Sequence, residues 1–174
     1  MNRRKAIYNA VLLSAGTFLL PSCGQDDAAS IPLKNMRLSG ADEKLVLHIV
    51  DAILPATTFK GGADVKAVEF ILNMVDDCCT PETQKIFLDG MQQLNKLTKS
   101  KYGKTFIECN GATKNELLAI IENKKDVPEN LLKFYDITKN YCIQAFTSSK
   151  AYLTDVLKYK MVPGSNFKGC VPFV

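Results

Sequence analysis

Chemistry in this chain could come from six cysteines, a single histidine and a few acids close to helix ends. One histidine, His48, leaves no route to a His-rich metal centre or to a relay between two imidazoles. On a helix it would project away from the apolar face centred on Leu45, Ile49 and Ile53, which predicts a solvated side chain. Asp76, Asp77 and Glu82 could work as paired carboxylates. Each falls at a predicted helix terminus, where capping and solvation account for it. The chain has neither the Cys-x-x-Cys-His haem signal nor the Gly-x-Gly-x-x-Gly dinucleotide fingerprint. The expectation is no catalytic, metal-binding or cofactor-binding residue in this chain.

The cysteines say more. Arg3-Arg4-Lys5 precedes an apolar run from Ala6 to Leu20, followed by Pro21-Ser22-Cys23. That run is fifteen residues, short for a bilayer span but right for the apolar core of an export signal. Leu20-Pro21-Ser22-Cys23 resembles a bacterial lipobox with Cys23 as the lipidated residue, although Pro21 stands where a small residue is usual. Asn2 to Ile7 also fits a twin-arginine motif, with Ala6 in place of the preferred aromatic, so Tat and Sec export both stay open. The chain is therefore expected on the periplasmic side of a bacterial membrane, anchored through lipid at Cys23.

Five cysteines then remain in an oxidising compartment, where disulfides are expected. An odd number leaves at least one without a partner in the chain. The preferred bridge joins Cys78 to Cys170, and a loop of that size would stabilise by roughly 4–5 kcal/mol in the chain-entropy picture. Cys142, on an apolar helix, is expected as a buried thiol. Adjacent Cys78 and Cys79 would point differently at a helix end, which argues against joint metal ligation. Without Cys-x-x-Cys spacing they also make a poor thiol-redox centre.

Helices must position these groups. Residues 1–22 read as the signal peptide, 23–37 as a polar, flexible tether and 38–174 as the body. Leu38 to Pro55 reads as a first helix capped by Ser39 or Asp42, and Asp64 as the cap of a second. Thr80-Pro81-Glu82 opens a third helix that runs to about Lys99, and Thr113 to Glu116 reads as a capping box for a fourth. The helix from Pro128 to about Thr147 is expected to be the longest and central, because its apolar residues crowd more than one face. Ser148 or Ser149 then caps a short helix to about Tyr159. No strand-like alternation competes, so the fold class is all-α: one helical domain of about six helices with an extended C-terminal tail.

Pro163-Gly164 and Pro172 prevent a helix in that tail, while Phe167, Val171 and Phe173 can bury apolar area and Cys170 can staple it. Hydrophobic residues make up 47% of the chain, enough for an ordinary core. The formal charge of +4 owes three basic residues to the leader; the rest carries 19 basic against 18 acidic residues. Such a body has no electrostatic footprint for nucleic acid.

The motifs, taken in order, resemble the gluconate 2-dehydrogenase subunit 3 family. They are Asp51-Ala-Ile-Leu-Pro-Ala56 with its Gly-rich loop, Val68 to Leu72, Met74 to Cys78, Pro81-Glu82-x-Gln84, Phe87-Leu-x-Gly90, Tyr102-Gly-Lys104, and Val162-Pro-Gly164 with Gly169-Cys-Val-Pro172. The similarity covers about Leu38 to Val174. Extra cysteines at 79, 109 and 142, and the lipobox, depart from the pattern. The resemblance implies a non-catalytic small subunit beside a large flavin-dependent dehydrogenase of the glucose-methanol-choline type, with FAD in that partner. Haem would belong to an associated cytochrome c subunit. The small subunit would assist export, folding or membrane attachment. Pro163, Gly164, Phe167, Gly169, Val171 and Pro172 are then the candidate partner-binding residues. A competing reading is a stand-alone lipoprotein that binds a small ligand in a pocket lined by Tyr135, Tyr141 and Phe146.

Overall fold

The computed structural model describes residues 28–124 and 126–160. Cys23, Cys170 and the six candidate partner-binding residues of the tail lie outside them. The described chain is all-α, with helices α1 (Gly40–Ile53), α2 (Ala67–Cys78), α3 (Pro81–Tyr102), α4 (Gly111–Glu122) and α5 (Glu129–Thr147). A π-helical turn, Tyr152–Val156, follows. None of the described helices is long and apolar enough to cross a membrane.

Local capping sets most boundaries. Ser39 caps α1 in a capping box whose third position is Asp42: each side chain accepts the other's backbone N–H, at 3.2 and 3.1 Å. Thr80 caps α3 by accepting the N–H of Thr83, with Pro81 in the first turn. The same helix ends at Gly103, whose positive φ of 68° lets its N–H return to the carbonyl of Lys99 at 2.9 Å.

Two expected caps are corrected. Asp64 accepts the N–H of Gly61 at 2.9 Å and so closes a turn, and α2 begins only after Lys66. Asn110, not Thr113, caps α4; its side chain accepts the Thr113 N–H at 2.9 Å, which places Thr113 inside the first turn.

α5 is central, packing against every other described helix and the π-turn. It is not the longest: α3 has 22 residues and α5 has 19. The α3–α5 contact is close because Gly90 removes a side chain where one would collide. A Cβ there would lie 2.2 Å from the Cβ of Phe134. Phe87 and Phe134 fill the space alongside, edge to face with ring centroids 4.8 Å apart. Leu45, Ile49, Ile71, Leu72, Leu94, Leu117, Ile121 and Leu131 complete a continuous core.

The tether reading is corrected over its last ten residues. Residues 28–37 are docked: Met36 is buried, Ile31 and Leu33 pack on the core, and Ala28 pairs with Ser39 in an isolated antiparallel bridge. Polar composition hid this, because the docking is made largely by backbone groups.

Candidate functional site

The docked strap is held by two carboxylates from the body. At α1, Glu43 accepts both the N–H and the hydroxyl of Ser30, each at 2.6 Å. At the C-terminal end of α2, Asp76 accepts the backbone N–H groups of Lys34, Asn35 and Met36 at 2.7, 2.9 and 2.7 Å. Asp76 was expected to be solvated, but it is only 3% exposed. Burial alone would raise its pKa. The N–H donors of Lys34, Met36 and Asn35 outweigh that and hold the carboxyl below the ordinary carboxylate range. Asn35 donates in turn to the Asp76 carbonyl at 2.8 Å. Asp77 stays outside, in an exposed ion pair with Lys34 that contributes little.

Gln84 is the matching device on α3. Buried, it donates to the carbonyls of Asp76 at 2.9 Å and Val75 at 3.2 Å. The carbonyls at the end of α2 would otherwise lack intrahelical partners, so Gln84 acts as their cap from the next helix. The Pro81-Glu82-x-Gln84 motif was the signal in the sequence, but its partners lie in a different element.

Cys78 is exposed at the end of α2, whereas Cys79 turns inward. The Cys79 sulfur lies 3.6 Å from the Tyr141 hydroxyl, and that contact, with burial, pushes the phenol up to about 12. The two neighbouring thiols thus point differently, as expected. No two cysteines are bonded among the described residues, and the expected Cys78–Cys170 bridge lies outside them. Cys142 is fully buried and its thiol is pushed up to about 11, by burial first and the Asp51 charge second.

His48 is half-buried rather than solvated. It lines a cleft of about 280 Å³ with Asp51, Gly111, Lys114 and Asn115. Lys114 Nζ sits 3.3 Å from its Nδ1. Burial and the Lys114 charge lower the His48 pKa, against an opposing pull from Asp51, which favours a neutral ring.

An adjoining cleft of about 230 Å³ carries Glu122, Tyr135 and Lys139. Lys139 and the Tyr135 hydroxyl both donate to Glu122, and these two bonds hold that carboxyl below its ordinary range despite some desolvation. Among the described residues, no group of three or more His, Cys, Asp or Glu side chains is placed to hold a metal ion.

The three aromatics of the pocket reading are not brought together. Tyr135 faces the Glu122 cleft, Tyr141 packs edge-on to Phe70, and Phe146 packs on Tyr152. Their spacing along α5 sends them to different neighbours.

The most conspicuous surface lies at the far end of α5. Among the described residues, the exposed large hydrophobics are Phe59, Ile143, Val156, Leu157 and Tyr159. Phe59 and Val156 line one small gap with Phe146 and Tyr152, whose rings lie 5.1 Å apart. Ile143 stands three residues before Phe146 and so continues the same side of α5.

The sequence pattern of the family described as gluconate 2-dehydrogenase subunit 3 matches residues 41–164. The chain belongs to that family. No curated protein and no solved structure matches it. As a gluconate 2-dehydrogenase subunit 3 protein, the chain falls among the accessory subunits of dehydrogenase complexes. The matched span takes in Asp76, Gln84, Gly90 and the apolar end of α5, and leaves the docked strap outside.

Proposed function

We propose that this chain is the non-catalytic small subunit of a periplasmic, flavin-dependent dehydrogenase complex. The large subunit, of the glucose-methanol-choline type, carries FAD and oxidises gluconate or another sugar or polyol. An associated cytochrome c subunit supplies haem. The single observation that carries the reading is the family match across residues 41–164.

Two features of the chain support its finer parts. Arg3-Arg4, the apolar leader and Cys23 fit export followed by lipid anchoring on the periplasmic side. The docked strap then gives that anchor a defined attachment to the body, through Glu43 and Asp76. In this arrangement the small subunit assists the export, folding or membrane attachment of the large one.

The test is a mild-detergent pull-down of the lipidated protein from its native membrane, read by absorption spectrum and mass spectrometry. A co-eluting flavin spectrum with a large dehydrogenase chain is expected. A colourless protein eluting alone would overturn the proposal.

A further inference from the structure

The apolar end of α5 is built as a platform rather than as a loose edge. Phe59 comes from the loop after α1 and Phe146 from α5, while Tyr152 and Val156 come from the π-turn. The gap these residues line is only about 10 Å³. Phe59 is nevertheless 52% exposed and Val156 39%; Ile143, on the side of α5 that carries Phe146, is 48% exposed, and Leu157 and Tyr159, next along the chain, are each 56% exposed. Exposed apolar side chains around a packed nucleus of Phe59, Phe146, Tyr152 and Val156 mark an interaction face.

The charge around this face is one-sided. Lys60 and Asp155 line the gap itself, while Lys150, Lys158 and Lys160 lie in the same segments of the sequence, with Asp155 the acid among them. None of the four lysines is ion-paired among the described residues. A face with an apolar centre and a basic rim is complementary to an apolar surface rimmed by carboxylates. In the sequence, Lys160 precedes the segment holding Pro163, Gly164, Phe167, Gly169, Val171 and Pro172.

We infer that the face formed by Phe59, Ile143, Val156, Leu157 and Tyr159 docks the large flavin-carrying subunit, on an apolar surface of that subunit rimmed by carboxylates. The inference rests on the accessory-subunit reading and assigns the partner to one end of the molecule. Aromatic and aliphatic side chains at the centre supply the binding energy, and the lysines orient the approach.

The test uses the full-length protein in its native membrane. The photo-cross-linker p-benzoylphenylalanine is placed at position 59, 143 or 157, or at the exposed position 92 of α3 as a control. After irradiation, cross-links from the three face positions to peptides of the large flavoprotein are expected, with none from position 92. If the flavoprotein co-purifies but is cross-linked only from position 92, the docking face is wrong while the subunit reading stands. Cross-links from the face solely to lipid, or solely to this chain's residues 161–174, overturn the inference in favour of those occupants. If no flavoprotein accompanies the wild-type chain, the subunit reading fails and takes the inference with it. A second measurement uses the double variant Leu157→Glu, Tyr159→Glu, at two positions that are each 56% exposed and lie outside the packed gap. It is expected to recover at least about tenfold less flavoprotein with an unchanged thermal unfolding midpoint. Full recovery would overturn the inference.

Discussion

Asp76 accepts the backbone N–H of Met36 at 2.7 Å across a separation of 40 residues. With the neighbouring bonds to Lys34 and Asn35, this contact turns the polar segment 28–37 into a fixed strap. Removing the acceptor leaves N–H donors in or near the core without partners. Asp76→Ala is therefore expected to cost roughly 1–3 kcal/mol in urea unfolding. It should also speed hydrogen exchange at residues 34–36 more than elsewhere, and unchanged exchange there would sink the clamp. Folding lowers the Asp76 pKa, so its contribution is complete above the ordinary value of 3.8 and falls away as pH drops through the native value. The stability gap between wild type and Asp76→Asn should narrow as the pH falls below the ordinary value toward the lower native one.

Gln84 reaches back from α3 to cap α2 from outside. Gln84→Leu keeps much of the volume but removes the donor, and is expected to destabilise by roughly 1–3 kcal/mol. Gln84→Glu supplies no amide donor and should fail to restore the loss at neutral pH. Equal stability of wild type and Gln84→Leu would show that water satisfies those carbonyls equally well.

Gly90 decides the separation of α3 and α5. Gly→Ala inside a helix ordinarily gains up to about 1 kcal/mol from backbone entropy. Here the added Cβ would meet Phe134 at 2.2 Å and the Asn130 carbonyl oxygen at 2.7 Å. Both atoms belong to the partner helix and cannot rotate away, so the clash wins. Gly90→Ala is expected to lose roughly 1–3 kcal/mol, read as a lower melting temperature. A raised melting temperature would contradict this geometry.

Thiol labelling separates the cysteines by burial. Cys142 is inaccessible and its thiolate is disfavoured, so iodoacetamide should modify it only after denaturation. Peptide mapping without reductant is expected to join Cys78 to Cys170. Ready labelling of Cys78 in the native, unreduced protein would remove that bridge.

Deletion of residues 164–174 should loosen the complex, since it removes five of the six tail candidates, including Phe167 and Val171, and with them Cys170. The measure is the yield of large subunit recovered with the truncated chain from detergent extracts. Full yield would show that the tail contributes nothing to partner binding.

The α-helical class and several helix ends were legible in the residues themselves. Ser39 and Thr80 act through hydrogen bonds to residues three positions away, and the apolar stripes of α1 and α3 follow the helical repeat. The family motifs were equally legible, because their order and spacing survive in the chain. Asn110 was missed as a cap because two competent side chains lay three residues apart, and local propensity did not choose between them. What belonged to tertiary structure alone was the meaning of residues whose partners are remote. Asp76 looked like a solvated helix-end acid until the strap supplied its donors, and Gly90 mattered only once Phe134 lay against it. Tyr135, Tyr141 and Phe146 seemed able to share a pocket, but their angular spacing on α5 sends them to separate neighbours. Phe59 joined Val156 only when the loop after α1 folded onto the end of α5. Periodicity and capping are short-range and can be read along the chain; burial and shape complementarity arise only where distant segments meet.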